Sequence, residues 1–236
     1  MTAYAAGEAV QRAYNNVHVC PLADGGEGTM EVMNHYLHGD IHEIEVAGPL
    51  FKTVHAKLAI MDDLAIIESA QACGLDYLTE EEKNGTEATS YGVGEMMKYA
   101  YDHGVKRFLL TLGGSACNDG GIGLLSGMGY GFFDQFDQRI PMNARGLETL
   151  DHIKKTRLDL SNIEVEGACD VTNPLCGKEG ATYVFGPQKK VKDLEKTDQA
   201  MKHYAKIMSE LVGKDDSCVS GAGAGRRYGL CDSDRT

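Results

Sequence analysis

The sequence predicts an α/β fold in two modules, and three observations carry that expectation. Short apolar runs end in polar, glycine-rich loops at 24–29 and 113–121 and in the polar turn 170–174. Helical periodicity follows the first of these loops and recurs at 91–103 and 194–212. The rhythm changes near residue 50, where strand follows strand instead of alternating with helix.

Taken in order, residues 3–14 read as a helix, with Tyr4, Val10, Ala13 and Tyr14 available for burial. The apolar run Val17 to Leu22 reads as a strand entering Asp24-Gly25-Gly26-Glu27-Gly28-Thr29. A helix follows, with Met30, Met33, Tyr36 and Leu37 on one face and Gly39 as its stop. Gly48-Pro49 is the expected module boundary. Beyond it, Val54, Ala56, Leu58 and Ile60 alternate as in a half-buried strand, and Leu64 to Ile67 form a more buried one. Tyr91 to His103 is helical and stops at Gly104. Arg107 to Leu112 is a strand running into Gly113-Gly114-Ser115-Ala116-Cys117-Asn118-Asp119-Gly120-Gly121. Ile163 to Cys169 is another, delivering Asp170 at its end. From Leu194 to Val212, Met201, Tyr204, Ala205, Met208 and Leu211 repeat at helical spacing.

A net charge of −12 argues against general nucleic-acid binding, which needs a basic face to displace counterions. It leaves room for an anionic substrate, because a site can be locally positive on an acidic protein. The seven cysteines show neither CxxC nor zinc-ligand spacing and suit reduced, buried thiols. No basic-then-apolar leader opens the chain and no apolar run approaches membrane-spanning length, so a cytoplasmic protein without membrane partners is expected.

Ligands of α/β proteins collect where loops converge at the carboxyl ends of strands. Glycine-rich loops there can turn backbone N–H groups toward phosphate oxygens. One such loop could equally be a tight turn capped by its Asn or Asp. Three of these segments, each carrying a carboxylate, point to a site. No P-loop and no G-x-G-x-x-G is present, so a phosphate site here would be of a less common kind. Phe185-Gly186-Pro187-Gln188-Lys189-Lys190 places two cations after a rigid turn, suited to an anion or simply to solvent.

Together these segments resemble glycerate kinase family I. The matching runs, in the family's order, are 21–29, 47–50, 90–95, 113–121, 169–175, 185–189 and 221–224. The resemblance implies an incomplete Rossmann-like domain with a mixed α/β inserted domain and a site in the cleft between them. Residues 1–50 would be the amino-terminal part of the first, 51–224 the insertion, and 225–236 an aberrant tail. The implied reaction phosphorylates D-glycerate with ATP and Mg2+, most often giving 2-phosphoglycerate, in a chain that could form homo-oligomers. It implies Asp24, Asp119 and Asp170 as catalytic carboxylates, with Asp119 and Asp170 also the expected Mg2+ ligands. Glu27, Gly28, Thr29, Gly113, Gly114, Ser115, Asn118, Asn173, Gln188 and Lys189 would bind substrate or phosphate.

There are departures. The family begins with a strand and a loop carrying Asp-Ser and a lysine, whereas Met1 falls at the start of the first helix. It continues past Gly-Ala-Gly-Ala, and has glycine where Lys190 stands. The expectation is therefore a chain truncated at both ends, with little activity and marginal stability. Residues 225–236 have no apolar period and are expected to be a poorly ordered product of a shifted reading frame. A non-catalytic remnant binding a small anion or a partner chain is the alternative. An α/β oxidoreductase is disfavoured by the missing dinucleotide fingerprint.

Overall fold

The mixed five-stranded sheet that organises the protein has its parallel half where the site will be needed. The structure, a computed structural model, describes residues 3–14 and 16–224, so the expectations for the tail 225–236 and for Cys231 lie outside the described residues. Helix α1 (Ala3–Ala13) leads by an extended segment to α2 (Thr29–Leu37). Strands β1 (Asp40–Ala47), β2 (Thr53–Met61) and β3 (Leu64–Glu68) follow as an antiparallel meander. Then come α3 (Ala70–Cys73), α4 (Tyr91–Asp102), β4 (Arg107–Thr111), α5 (Ile122–Gly127), a hairpin of β5 (Gly131–Phe133) and β6 (His152–Lys154), and β7 (Glu164–Ala168). Helices α6 (Ala181–Phe185) and α7 (Leu194–Val212) complete the regular elements. The sheet order is β1-β2-β3-β4-β7, with β3, β4 and β7 parallel.

Period-two alternation divides the core between the two faces of this sheet. Ile66 of β3, Leu109 of β4 and Ala59 of β2 meet Met30 and Met33 of α2 on one side. Ala65, Ile67, Phe108, Leu110 and Leu58 turn the other way, into the main core under α3, α4, α5 and α7. Each of the fully buried Leu and Ile side chains contributes about 1.5–3 kcal/mol relative to exposure. Helix α7 is fixed at both ends by its sequence. Asp193 accepts a hydrogen bond from the Lys196 N–H at 2.9 Å, and Gly213 takes the left-handed C-cap conformation.

Several expectations are corrected. The run Val17 to Leu22 forms no strand, because no ladder of the described residues receives it. Val10 and Tyr14 of the first helical segment are 44% and 66% exposed, and Tyr36 and Leu37 are likewise exposed. Gly48-Pro49 does not separate modules. It is the turn of the β1–β2 hairpin, closed by Gly48 N–H to Lys52 O at 2.7 Å, and pairing runs across it from Ala47↔Thr53 to Asp40↔Ile60. Of the six described cysteines, all free, Cys20 and Cys218 are exposed and only Cys73 and Cys117 are buried.

Candidate active site

The carboxyl ends of β3, β4 and β7 lie side by side, and each hands the chain to a polar segment. After β4 the loop 112–121 is laced to the segment after β3. Ser69 N–H donates to Thr111 O at 2.9 Å, Leu75 N–H to Gly114 O at 2.9 Å, and Ala116 N–H to Cys73 O at 2.7 Å. The loop before α2 crosses the ends of β4 and β7 at backbone distance. A Cβ on Gly25 would stand 2.9 Å from Ala168 O, and one on Gly113 would stand 2.8 Å from Gly26 Cα. Only glycine permits that approach, which is the physical reason for glycine in both loops.

These loops, the turn before α7 and one face of α7 enclose a cavity of about 690 Å³, within the range usual for small-molecule sites. Asp24, Gly113, Gly114, Ser115, Asn118, Asp119, Asp170, Gln188 and Lys189 all line it. Glu27, Gly28, Thr29 and Asn173 do not. Glu27 lies against Gly114. The Thr29 hydroxyl donates to Gly26 O at 2.7 Å. Asn173 Nδ2 donates to Glu179 O at 2.7 Å and closes its own loop.

Within the cavity the three aspartates differ. The Asp24 and Asp170 side chains are exposed, and Asp24 Oδ1 accepts only the Gly26 N–H at 3.0 Å. Asp119 is 2% exposed and accepts four hydrogen bonds, from Ser90 N–H and Ser90 Oγ (both 2.8 Å), Gly121 N–H (3.0 Å) and Gly123 N–H (3.3 Å). A carboxylate has about four lone-pair positions. Asp119 thus ties the starts of α4 and α5 together, with three of the four bonds on Oδ2 and one on Oδ1. Among the described residues no group of three or more His, Cys, Asp or Glu could hold a metal. Asp24 and Asp170 offer two carboxylates to one space, a donor set that fits an ion keeping most of its waters, as Mg2+ does.

Three lysines line the cavity, Lys155, Lys189 and Lys214, and Lys189 is the one held half-buried between its loops. Its Nζ donates to Ser115 Oγ at 3.1 Å and Cys117 O at 2.6 Å, and no acidic side chain among the described residues pairs with it. An ammonium has three donors, so one remains for a ligand. Asn118 donates one of its two amide N–H groups to Thr182 Oγ1 at 2.9 Å. The floor is protic but inert. The hydrogen bond from Cys117 to Cys73, and then burial, push the Cys117 thiol well above its usual range, and burial does the same to the Tyr204 phenol.

Two buried residues escaped the sequence reading. Glu68, 3% exposed, accepts the Met30 N–H at 2.8 Å and so docks the start of α2 on the end of β3. Ser69 follows it and lines the cavity. The available signal was a Glu-Ser pair closing the apolar run 64–67, the position where parallel strands present site residues.

An α/β protein with its cavity over the carboxyl ends of parallel strands, roofed by glycine loops, is the class that this fold and site define. A family model described as the glycerate kinase family matches residues 1–230, and the chain belongs to that family. It is 41% identical over 210 residues to a glycerate kinase of Haemophilus influenzae, covering 86% of this chain and 56% of that one. It is 38% identical over 210 residues to a glycerate 2-kinase of Escherichia coli K12, covering 86% and 55%. A crystal structure from Salmonella typhimurium LT2, named for glycerate kinase 2, superposes with a TM-score of 0.84 at 38% identity over 97% of this chain and 63% of that one. The chain thus spans roughly three fifths of the length of the curated relatives it matches. The expectation that it is an inactive fragment finds no support in these similarities.

Proposed function

We propose that the protein is a glycerate kinase, transferring the γ-phosphoryl group of ATP to a hydroxyl of D-glycerate, with 2-phosphoglycerate the product. The observation that carries this reading is the Lys189 ammonium, held by neutral oxygens in a cavity that the exposed carboxylates of Asp24 and Asp170 also line. A cation without its own carboxylate attracts an anionic ligand, and carboxylates in the same cavity suit a proton acceptor and a metal site. Phosphoryl transfer needs this division of labour, because it relies on positioning and charge neutralisation more than on covalent help.

In this reading Lys189 and Ser115 hold the substrate anion. Asp24 and Asp170 divide two tasks, orienting the attacking hydroxyl and holding Mg2+. The ion, when bound, would neutralise charge on the nucleotide phosphates. The substrate oxygen forms its bond to the γ-phosphorus as the bond to the β-bridging oxygen breaks, and the hydroxyl proton passes to the free carboxylate. ADP leaves. The backbone N–H of Gly114, in the cavity lining, would donate to phosphate oxygens. Because ATP is a cytoplasmic reactant, the activity belongs in the cytoplasm, and no helix among the described residues is long and apolar enough to cross a membrane.

The test is ADP release by the 236-residue chain with D-glycerate and Mg-ATP. Glycerate-dependent ADP formation is expected, with Lys189→Met raising the KM for D-glycerate about tenfold or more, the loss of one charge-assisted contact. No glycerate-dependent ADP release would overturn the reading.

A further inference from the structure

Among the described residues one buried side-chain oxygen has no hydrogen-bond partner, the hydroxyl of Ser69. The residue is 5% exposed and lines the cavity. Other buried polar side chains are engaged: Glu68 with Met30 N–H, Ser90 with Asp119 and Leu124 N–H, Asn118 with Thr182. Orphans of this kind are rare in native proteins and call for a reason.

Local structure does not supply one. Ser69 occupies the position before α3, where a serine would ordinarily cap, but its backbone is helical (φ −58°, ψ −33°) and its side chain caps nothing. The main chain does the structural work instead. Ser69 N–H donates to Thr111 O at 2.9 Å, and Ser69 O accepts from Ala72 N–H at 3.1 Å and Cys73 N–H at 2.8 Å. The backbone thus fixes where the hydroxyl sits, while the fold makes no use of it. The same segment is bridged from Gly74 to Ser115, which carries the Lys189 ammonium.

We propose that the Ser69 hydroxyl is a substrate-binding group that hydrogen-bonds a hydroxyl oxygen of D-glycerate, alongside the Lys189 ammonium that takes its carboxylate. This rests on the proposed kinase reading and deepens it. A serine hydroxyl both donates and accepts, which matches a substrate hydroxyl. A nucleotide phosphate, acceptor-only and strongly charged, is better met by cations and N–H groups. Ser69 therefore discriminates for a hydroxy acid over the same acid lacking the hydroxyl.

The experiment compares the parent chain with Ser69→Ala by thermal melting, with and without D-glycerate, and by steady-state kinetics. The variant is expected to melt, ligand-free, within about a degree of the parent or above it, because it removes an unsatisfied hydroxyl. Its KM for D-glycerate should rise about tenfold and its glycerate-induced melting shift should shrink, with the KM for ATP unchanged. A parental glycerate KM in the variant overturns the inference alone. So does a rise confined to the KM for ATP, which would move the contact to phosphate. A ligand-free melting temperature several degrees lower would give the hydroxyl a structural partner and overturn it too. A parent with neither turnover nor a glycerate-induced shift overturns the kinase reading, and this contact with it.

Discussion

Asp119 and Asp170 line one cavity, yet opposite consequences are expected when each is changed. Asp170→Asn alters an exposed carboxylate with no partner among the described residues, so the melting temperature should hold within about 2 °C while turnover falls on the order of a hundredfold. Activity within about threefold of the parent would make Asp170 a bystander. Asp119→Ala strands the N–H groups of Ser90, Gly121 and Gly123 in the interior, and urea unfolding should register a loss of about 3 kcal/mol or more. Thiol chemistry separates in the same way. Burial holds Cys176 at about 12, and Cys117 is raised by Cys73 and by burial, whereas Cys20 and Cys218 are exposed. Iodoacetamide at pH 8, read peptide by peptide in a mass spectrometer, should label Cys20 and Cys218 first. A thiol raised in the folded state keeps its proton better there than in the unfolded chain. Its contribution is complete below about pH 8.5 and is lost as pH climbs toward about 12, so stability should decline with rising alkalinity. Of these residues, Asp170 was named for its place after a strand and Lys189 for its place after a rigid turn, and both placements hold, whereas Asp24 was named after the run 17–22, which forms no strand. The bonds that Asp119 accepts from Ser90 were not legible, since the two residues are 29 positions apart in sequence. Ser69 gave only the weak signal of a polar residue at a strand end.

Helices α4 and α7 and strands β2, β3, β4 and β7 were readable because their apolar spacing is long or is bounded by glycine, proline or aspartate. Strand β1 was missed: Ile44 and Val46 turn inward while Ile41 is 48% exposed, so the apolar residues do not keep to one face. Val17 to Leu22 failed for the converse reason, since a strand needs a partner that local sequence cannot name. Helix packing was also invisible in the sequence. A Cβ on Gly94 of α4 would stand 2.1 Å from Leu124 O and 2.8 Å from Gly127 Cα of α5. Both neighbours are backbone and cannot swing away. Gly94→Ala should therefore force α4 and α5 apart and cost about 2–3 kcal/mol, although alanine is the better helix former by about 1 kcal/mol. Denaturant melts decide the point, and a variant as stable as the parent would show that the two helices can slide past each other.

At the scale of the molecule, the loop 24–28, the loop 112–121 and the turn 186–190 come from distant parts of the chain and converge only because β3, β4 and β7 run parallel. The fold class was legible from the strand-loop-helix order, but the antiparallel meander that carries β1 and β2 into the same sheet was not, because register is set by tertiary pairing. The exterior is acidic, with a net charge of −12, while Lys189, among the lysines of the cavity, is half-buried and held by oxygens without formal charge. Glycerate and ATP are anions, so at long range they approach a repelling body and only at close range an attracting group. Mobile ions weaken the first effect far more than the second: the screening length shrinks from about 30 Å at 0.01 M salt to about 10 Å at 0.1 M, and partly buried charges feel it least. Raising potassium chloride over that interval should then increase kcat/KM a few-fold, whereas a site fed by a basic surface would slow. Salt would act on this protein as an activator of encounter.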